Sequence, residues 1–199
     1  MQNPTKTQTK STLQKSSAQK ESTQKKIYSA KKNCAKKICF ICMGNICRSP
    51  LAEGIARHLY AKQIKSNQKS STKLNTDSPQ TPTLEFSSAG TSGFHNGDSI
   101  DSRSIAIAKQ HGIDISHYKS KQVSPYSHSD IDLFVAMDRQ NYASLLQFGF
   151  DRDKVALLGD FGLNGEEVPD PYYGGSDGFI KVYEMLEVGI TNMLKELKK

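Results

Sequence analysis

Cys42 and Arg48 stand six residues apart in the string Cys42-Met43-Gly44-Asn45-Ile46-Cys47-Arg48-Ser49-Pro50. That spacing suits phosphoryl chemistry. A cysteine thiolate is a strong nucleophile, and positive surroundings favour it over the thiol. The planar guanidinium can hold two oxygens of a tetrahedral oxyanion at once. Gly44 and Asn45 are residue types that tolerate the unusual backbone angles of a tight cradle. Amides from Met43 through Cys47, followed by Ser49, would then ring one phosphate. Two plainer readings compete. A cysteine ending an apolar strand is usually a small core residue, but the Arg-Ser-Pro that follows argues against it. Cys34, Cys39, Cys42 and Cys47 resemble the makings of a zinc knuckle. Cys39 falls inside an apparent buried strand and Cys34 inside a polar tail, so no metal or cofactor is expected.

A second constellation, Asp170-Pro171-Tyr172-Tyr173-Gly174-Gly175, lies more than a hundred residues later. By itself it reads as a turn. Beside a cysteine phosphotransfer loop it supplies the missing part, a carboxyl to protonate a leaving alkoxide or phenoxide. Tyr172 and Tyr173 either wall a slot for an aromatic ring or pack the loop.

These residues need elements to hold them. Ile38-Cys39-Phe40-Ile41-Cys42 is a short apolar run that reads as a buried strand. From Ser49, Leu51, Ile55, Leu59 and Ile64 recur at roughly helical spacing after a Ser-Pro suited to a first turn. Further strands are expected at Thr83–Ser88, Ile131–Ala136 and Lys154–Leu158. A helix capped by Ser99 should end at Gly112, another should span Asp138–Gln147, and a long one should begin near Ser176. Residues 65–82 read as a polar loop insertion. Strands alternating with helices imply an α/β domain. It should have a four-stranded parallel sheet flanked by helices on both faces, with the phosphate loop between first strand and first helix.

The net charge of +7 looks at first like a nucleic-acid signal. Residues 1–36, however, hold nine Lys and one Glu, so residues 37–199 carry −1 of that total. A basic face on a folded nucleic-acid-binding domain is therefore not expected. The segment 1–36 is Lys, Ser, Thr and Gln with few aliphatic residues and reads as a disordered tail; docking on an acidic or lipid surface is the alternative. It has neither the apolar core of a signal peptide nor the Arg-rich face of a mitochondrial presequence, so a cytoplasmic place is expected. No apolar run is long enough to span a bilayer.

The nine-residue string together with DPYYGG resembles the low-molecular-weight protein tyrosine phosphatases. Ser87–Gly93 (SSAGTSG), His111–Gln122 (HGIDISHYKSKQ) and Ala136–Asn141 (AMDRQN) extend the similarity over 37–199. The resemblance implies Cys42 as the nucleophile of a phosphocysteine intermediate, Arg48 as phosphate clamp and Asp170 as general acid and base. It implies that Asn45, Ser49, Ser88 and His117 form the network holding the loop, and that Phe94 and Tyr172 flank the slot. Cys47 would trap oxidised Cys42 as a reversible disulfide. Tyrosine-phosphorylated proteins would be the substrates, and the enzyme a monomer or weak dimer. Arsenate reductases on the same scaffold need two further cysteines, and none follows Cys47. The arginine phosphatase branch carries Thr where this loop has Ile46. A non-catalytic phosphate-binding adaptor would have no need of the complete set Cys42, Arg48 and Asp170.

Overall fold

The computed structural model describes residues 36–70 and 83–198; the expected tail short of Lys36 and most of the expected insertion lie outside them. The first apolar run forms β1 (Lys37–Cys42), and the Ser-Pro segment opens α1 (Arg48–Ser70). There follow β2 (Glu85–Gly90), α2 (Ser102–Gln110), β3 (Leu133–Ala136), α3 (Arg139–Gln147), β4 (Val155–Leu157) and α4 (Ser176–Glu196). The four strands are parallel in the order β2-β1-β3-β4. None of the described helices is long and apolar enough to cross a membrane.

Alternation along β1 divides its side chains between two cores. Ile38, Phe40 and Cys42 join the cluster under α1, α2 and α4, where Leu51, Ile55, Phe179, Leu186 and Ile190 are also buried. Cys39 and Ile41 face the opposite way, toward Phe134, Leu145 and Val155 beneath α3. Helices thus cover both faces. The apolar face of α4 is continuous from Phe179 to Leu194, and truncating a fully buried Phe179 to Ala would cost about 3–5 kcal/mol.

From β1 the chain runs outward to β2 and then returns past β1 to β3, so the loops after β1 and β3 diverge. A crevice opens there at the carboxyl ends of the strands. The Cys42–Arg48 loop lies on one side of it and Asp138, just past β3, on the other.

Several boundaries differ from expectation. Helix α1 continues through Ser70, so the first residues of the expected loop 65–82 are helical, while 71–82 lie outside the described residues. Its apolar stripe fades at Ile64, which is exposed. Strand β2 begins two residues late because its ladder matches Glu85 to Lys37 and Gly90 to Cys42. Asp101, not Ser99, caps α2: its carboxylate accepts the Arg103 amide at 2.8 Å, and Ser99 instead bridges to Lys119. The helix stops at Gln110, and Gly112 (φ 73°) adopts the left-handed turn beyond it. Strands β3 and β4 are shorter than expected, β4 being closed at each end by a 3-10 turn.

Candidate active site

The loop after β1 is held from outside through its carbonyls. Cys42 and Met43 accept the amides of Thr91 and Ser92 (both 2.9 Å), and Ile46 accepts that of Asp101 (2.9 Å). Hydroxyls of Ser120 and Ser104 bind the carbonyls of Gly44 (2.9 Å) and Cys47 (3.3 Å). Carbonyls engaged in this way leave the loop amides as the donors available to an anion. Asn45 takes the left-handed backbone angle (φ 51°), which Asn tolerates. Gly44 does not; its constraint is the close approach of His95, whose Cδ2 would lie 3.1 Å from an added Cβ. Gly90 plays an unforeseen part, since a Cβ there would stand 2.7 Å from the Met43 carbonyl oxygen.

Cys42 ends β1 almost fully buried. Its sulfur accepts the Asn45 amide at 3.2 Å and lies 3.0 Å from Ser49 Oγ. The Ser49 hydroxyl in turn accepts Asn45 Nδ2 at 2.9 Å and approaches the Ala89 carbonyl at 3.3 Å. Asn45 is itself fixed by the Lys121 amide, which donates to Oδ1 at 2.9 Å. Asn45 and Ser49 thus bond to the Cys42 sulfur.

Ser88 and His117 do not. Ser88 donates to buried Glu53 at 2.8 Å, and Glu53 receives a two-pronged bond from Arg57 at 3.0 and 2.9 Å, forming a separate network below the loop. Arg57 also binds the Phe86 carbonyl. His117 is exposed, with its ring edge-on to Tyr118 at 4.7 Å, and no hydrogen bond joins it to the loop among the described residues. Ser116 and His117 form a turn closed by the Tyr118 amide on the Ile115 carbonyl (3.1 Å), which leaves His117 exposed while Tyr118 is half-buried. Burial, then the nearby Glu53 carboxylate, raises the Tyr118 phenol above its ordinary range.

Arg48 is 4% exposed and spans the crevice. One terminal nitrogen donates to Asp138 at 2.7 Å and to the Val168 carbonyl at 3.1 Å; the other donates to Asp170 at 3.0 Å. Burial opposes its charge, but Cys42, Asp170 and Asp138 outweigh that penalty and make it more basic. Asp138, anticipated only at the start of a helix, thus does two jobs: Oδ2 orients Arg48 while Oδ1 caps α3 through the Asn141 amide (2.7 Å). Its signal was present in the AMDRQN string.

Asp170 closes a small turn, accepting the Tyr172 amide at 3.1 Å. Cys42, Arg48 and Asp170 all line one cleft of about 400 Å³. Met43, Gly44, Ile46 and Cys47 form its floor and sides with Ser92, while Phe94, His95, Tyr172 and Tyr173 rim it. Phe94 and Tyr173 are 87% and 93% exposed, so these rings are walls and not core. His95, absent from the sequence reading, is held through Nδ1 by Asp98 at 3.0 Å. Cys47 lies beside Cys42 and donates to Asp101 at 3.6 Å; burial, then the Asp101 carboxylate, pushes this thiol upward. Among the described residues no group of three or more His, Cys, Asp or Glu is placed to hold a metal ion.

This architecture matches known proteins. The family described as low molecular weight phosphotyrosine protein phosphatase matches residues 37–199. The chain belongs to that family. It is a hydrolase of the protein-tyrosine-phosphatase class. The low molecular weight phosphotyrosine protein phosphatase of Saccharomyces cerevisiae is 35% identical over 163 residues, 79% of this chain and 92% of the yeast protein. The crystal structure of a protein tyrosine phosphatase from Entamoeba histolytica superposes with a TM-score of 0.69 at 31% identity, covering 82% of this chain and 97% of that one. An arginine phosphatase of Drosophila superposes with a TM-score of 0.67 at 27% identity, covering 82% and 98%.

Proposed function

We propose that this phosphatase hydrolyses phosphotyrosine in proteins through a phosphocysteine intermediate. The observation that carries the reading is the convergence of the Cys42 sulfur, the Arg48 guanidinium and the Asp170 carboxyl on one amide-lined cleft.

The Cys42 thiolate attacks phosphorus and forms an S–P bond. As the P–O bond to the aryl group breaks, its electron pair passes to the phenolic oxygen, which takes a proton from Asp170. Arg48 and the loop amides hold the three phosphoryl oxygens throughout. Water then attacks phosphorus and gives a proton to the Asp170 carboxylate. The S–P bond breaks, its electrons return to sulfur, and inorganic phosphate leaves.

One terminal nitrogen of Arg48 is bonded to Asp170. That nitrogen carries a second N–H, so Arg48 can hold Asp170 beside the cleft and still donate to phosphoryl oxygens.

Phe94, Tyr172 and Tyr173 supply aromatic faces at the mouth, suited to the ring of a tyrosine. Cys47 is the protecting thiol: when peroxide converts Cys42 to a sulfenic acid, Cys47 displaces water and forms a disulfide, which cellular thiols reduce. Buried free thiols at Cys39, Cys42 and Cys47 suit a reducing compartment such as the cytoplasm. The enzyme's substrates are tyrosine-phosphorylated proteins.

Rapid quenching with radiolabelled phosphotyrosine peptide should place label on Cys42 in wild type and not in Cys42→Ser. Turnover should survive a chelator and should exceed that of phosphoserine and phosphoarginine peptides. Preferred hydrolysis of phosphoarginine would move the substrate class while leaving the chemistry in place.

A further inference from the structure

The Asp170–Gly175 segment is tied at its far end to a side chain of α2. Arg103, in the first turn of α2, sends Nε and one terminal nitrogen to the two oxygens of Asp101, at 3.0 and 2.7 Å. That pairing fixes the plane of the guanidinium. The remaining terminal nitrogen then points at the carbonyls of Tyr172 and Gly174, at 3.2 and 3.4 Å. The guanidinium carbon also stands 4.5 Å from the centre of the Phe179 ring and 5.7 Å from that of Tyr172. Asp101 is anchored in its turn. Its carboxylate caps α2 and accepts the Cys47 thiol, and its amide binds the Ile46 carbonyl at 2.9 Å. A continuous chain of contacts therefore runs from the phosphate cradle through Asp101 and Arg103 to the backbone just beyond Asp170.

An exposed Arg–Asp pair alone is worth little, about 0–1 kcal/mol. Here the pair leaves a third donor aimed across a gap, and a lysine ammonium could not serve both partners in that geometry. We infer that Arg103 is a positioning residue that docks the Asp170 loop on the cradle and so sets where the general acid meets the leaving group. The inference rests on the reading of Asp170 as that acid.

The test separates the two. The ratio kcat/KM covers only steps through departure of the leaving group, so it is measured with phenyl phosphate (poor leaving group) and dinitrophenyl phosphate (good). Arg103→Met should lower the ratio about 10- to 100-fold on phenyl phosphate, the cost of misplacing a catalytic group by about 1 Å. Dinitrophenyl phosphate scarcely needs an acid, and its turnover certifies that the variant is folded. Arg103→Lys should show the same substrate pattern as Arg103→Met, because the fork is lost. In an Asp170→Asn background, Arg103→Met should add almost nothing on phenyl phosphate, since the group it positions is already gone. Equal losses on the two substrates, additive losses in the double variant, or full rescue by Lys would each overturn the inference. If Asp170→Asn alone shows no dependence on the leaving group, the acid assignment fails and the role of Arg103 falls with it. A normal Asp170→Asn pattern with an unaffected Arg103→Met condemns the inference alone.

Discussion

The two halves of the proposed catalytic cleft are built differently. In the cradle, Cys42, Asn45, Arg48 and Ser49 are all buried, and the carbonyls of Cys42, Met43, Gly44, Ile46 and Cys47 are each bonded to surrounding structure. The Asp170 loop is exposed at Tyr172 through Gly175 and rests on Arg48, Arg103 and its own internal turn. The difference follows the chemistry. Stabilising charge on phosphoryl oxygens requires donors fixed before the substrate arrives, and burial fixes them. Protonating a leaving group requires one carboxyl at the right height, on a segment that can be approached from solvent by the rest of a protein substrate. The contrast predicts that damage to the cradle harms every substrate alike, while damage to the acid loop harms substrates according to their leaving group.

The largest effect should come from removing the proposed nucleophile. Cys42→Ser should lower turnover of any aryl phosphate by roughly 10⁴-fold or more, while inorganic phosphate still binds measurably by calorimetry, because amides and Arg48 remain. Retention of most of the rate, or loss of wild-type activity on adding a chelator, would end the thiolate mechanism. Next comes Asp170→Asn, expected to reduce kcat/KM by about 10²–10⁴-fold on phosphotyrosine and far less on dinitrophenyl phosphate. Equal losses would place the acid on another residue.

The same contrast governs what was legible in the sequence. The cradle is contiguous, so the spacing of Cys42, Asn45, Arg48 and Ser49 already pointed to the proposed chemistry and to the sheet end that presents these residues. Its supports are scattered and individually ordinary. Asp138 is one aspartate among many until Arg48 is seen 2.7 Å away, and Asp101 with Arg103 reads only as a helix start until both loops are in place. Ser99 and Asp101 are equally good caps by local rules, and only the bridge from Ser99 to Lys119 decides between them. His117 and Tyr118 are adjacent at the end of a turn, where one residue separates an exposed side chain from a half-buried one and no local pattern says which is which. The end of β2 was set by its ladder with β1, a pairing that no local pattern carries.

Two glycines sharpen the comparison at smaller amplitude. A Cβ at Gly90 would sit 2.7 Å from the Met43 carbonyl oxygen, 3.0 Å from the Asn45 nitrogen and 3.1 Å from the Gly44 carbonyl carbon, all of them cradle backbone. Gly90→Ala must therefore shift the cradle itself. It should cost about 1–3 kcal/mol of stability, read by denaturant unfolding. It should also lower kcat/KM about 10- to 100-fold, by similar factors on phenyl and dinitrophenyl phosphate. A loss confined to the poor leaving group would mean that the cradle and the acid are not separable parts.

Gly174 is the counterpart in the acid loop, and its substitution should have the smallest effect. A Cβ there would meet only the Pro171 carbonyl oxygen, at 3.5 Å, an ordinary van der Waals contact. Its φ is not among the positive ones, so alanine can adopt the same backbone without strain. The hydrogen bond from Arg103 uses the Gly174 carbonyl, which Ala retains. Restricting the unfolded chain should make Gly174→Ala neutral or slightly more stable, by up to about 1 kcal/mol. Its kcat/KM on phenyl phosphate should stay within about two-fold of wild type, since the acid has not moved. Steady-state kinetics and thermal melting of the two alanine variants side by side make the check. A tenfold loss at Gly174 would show that the acid loop is packed as closely as the cradle, and that exposure is no guide to which half of this site tolerates change.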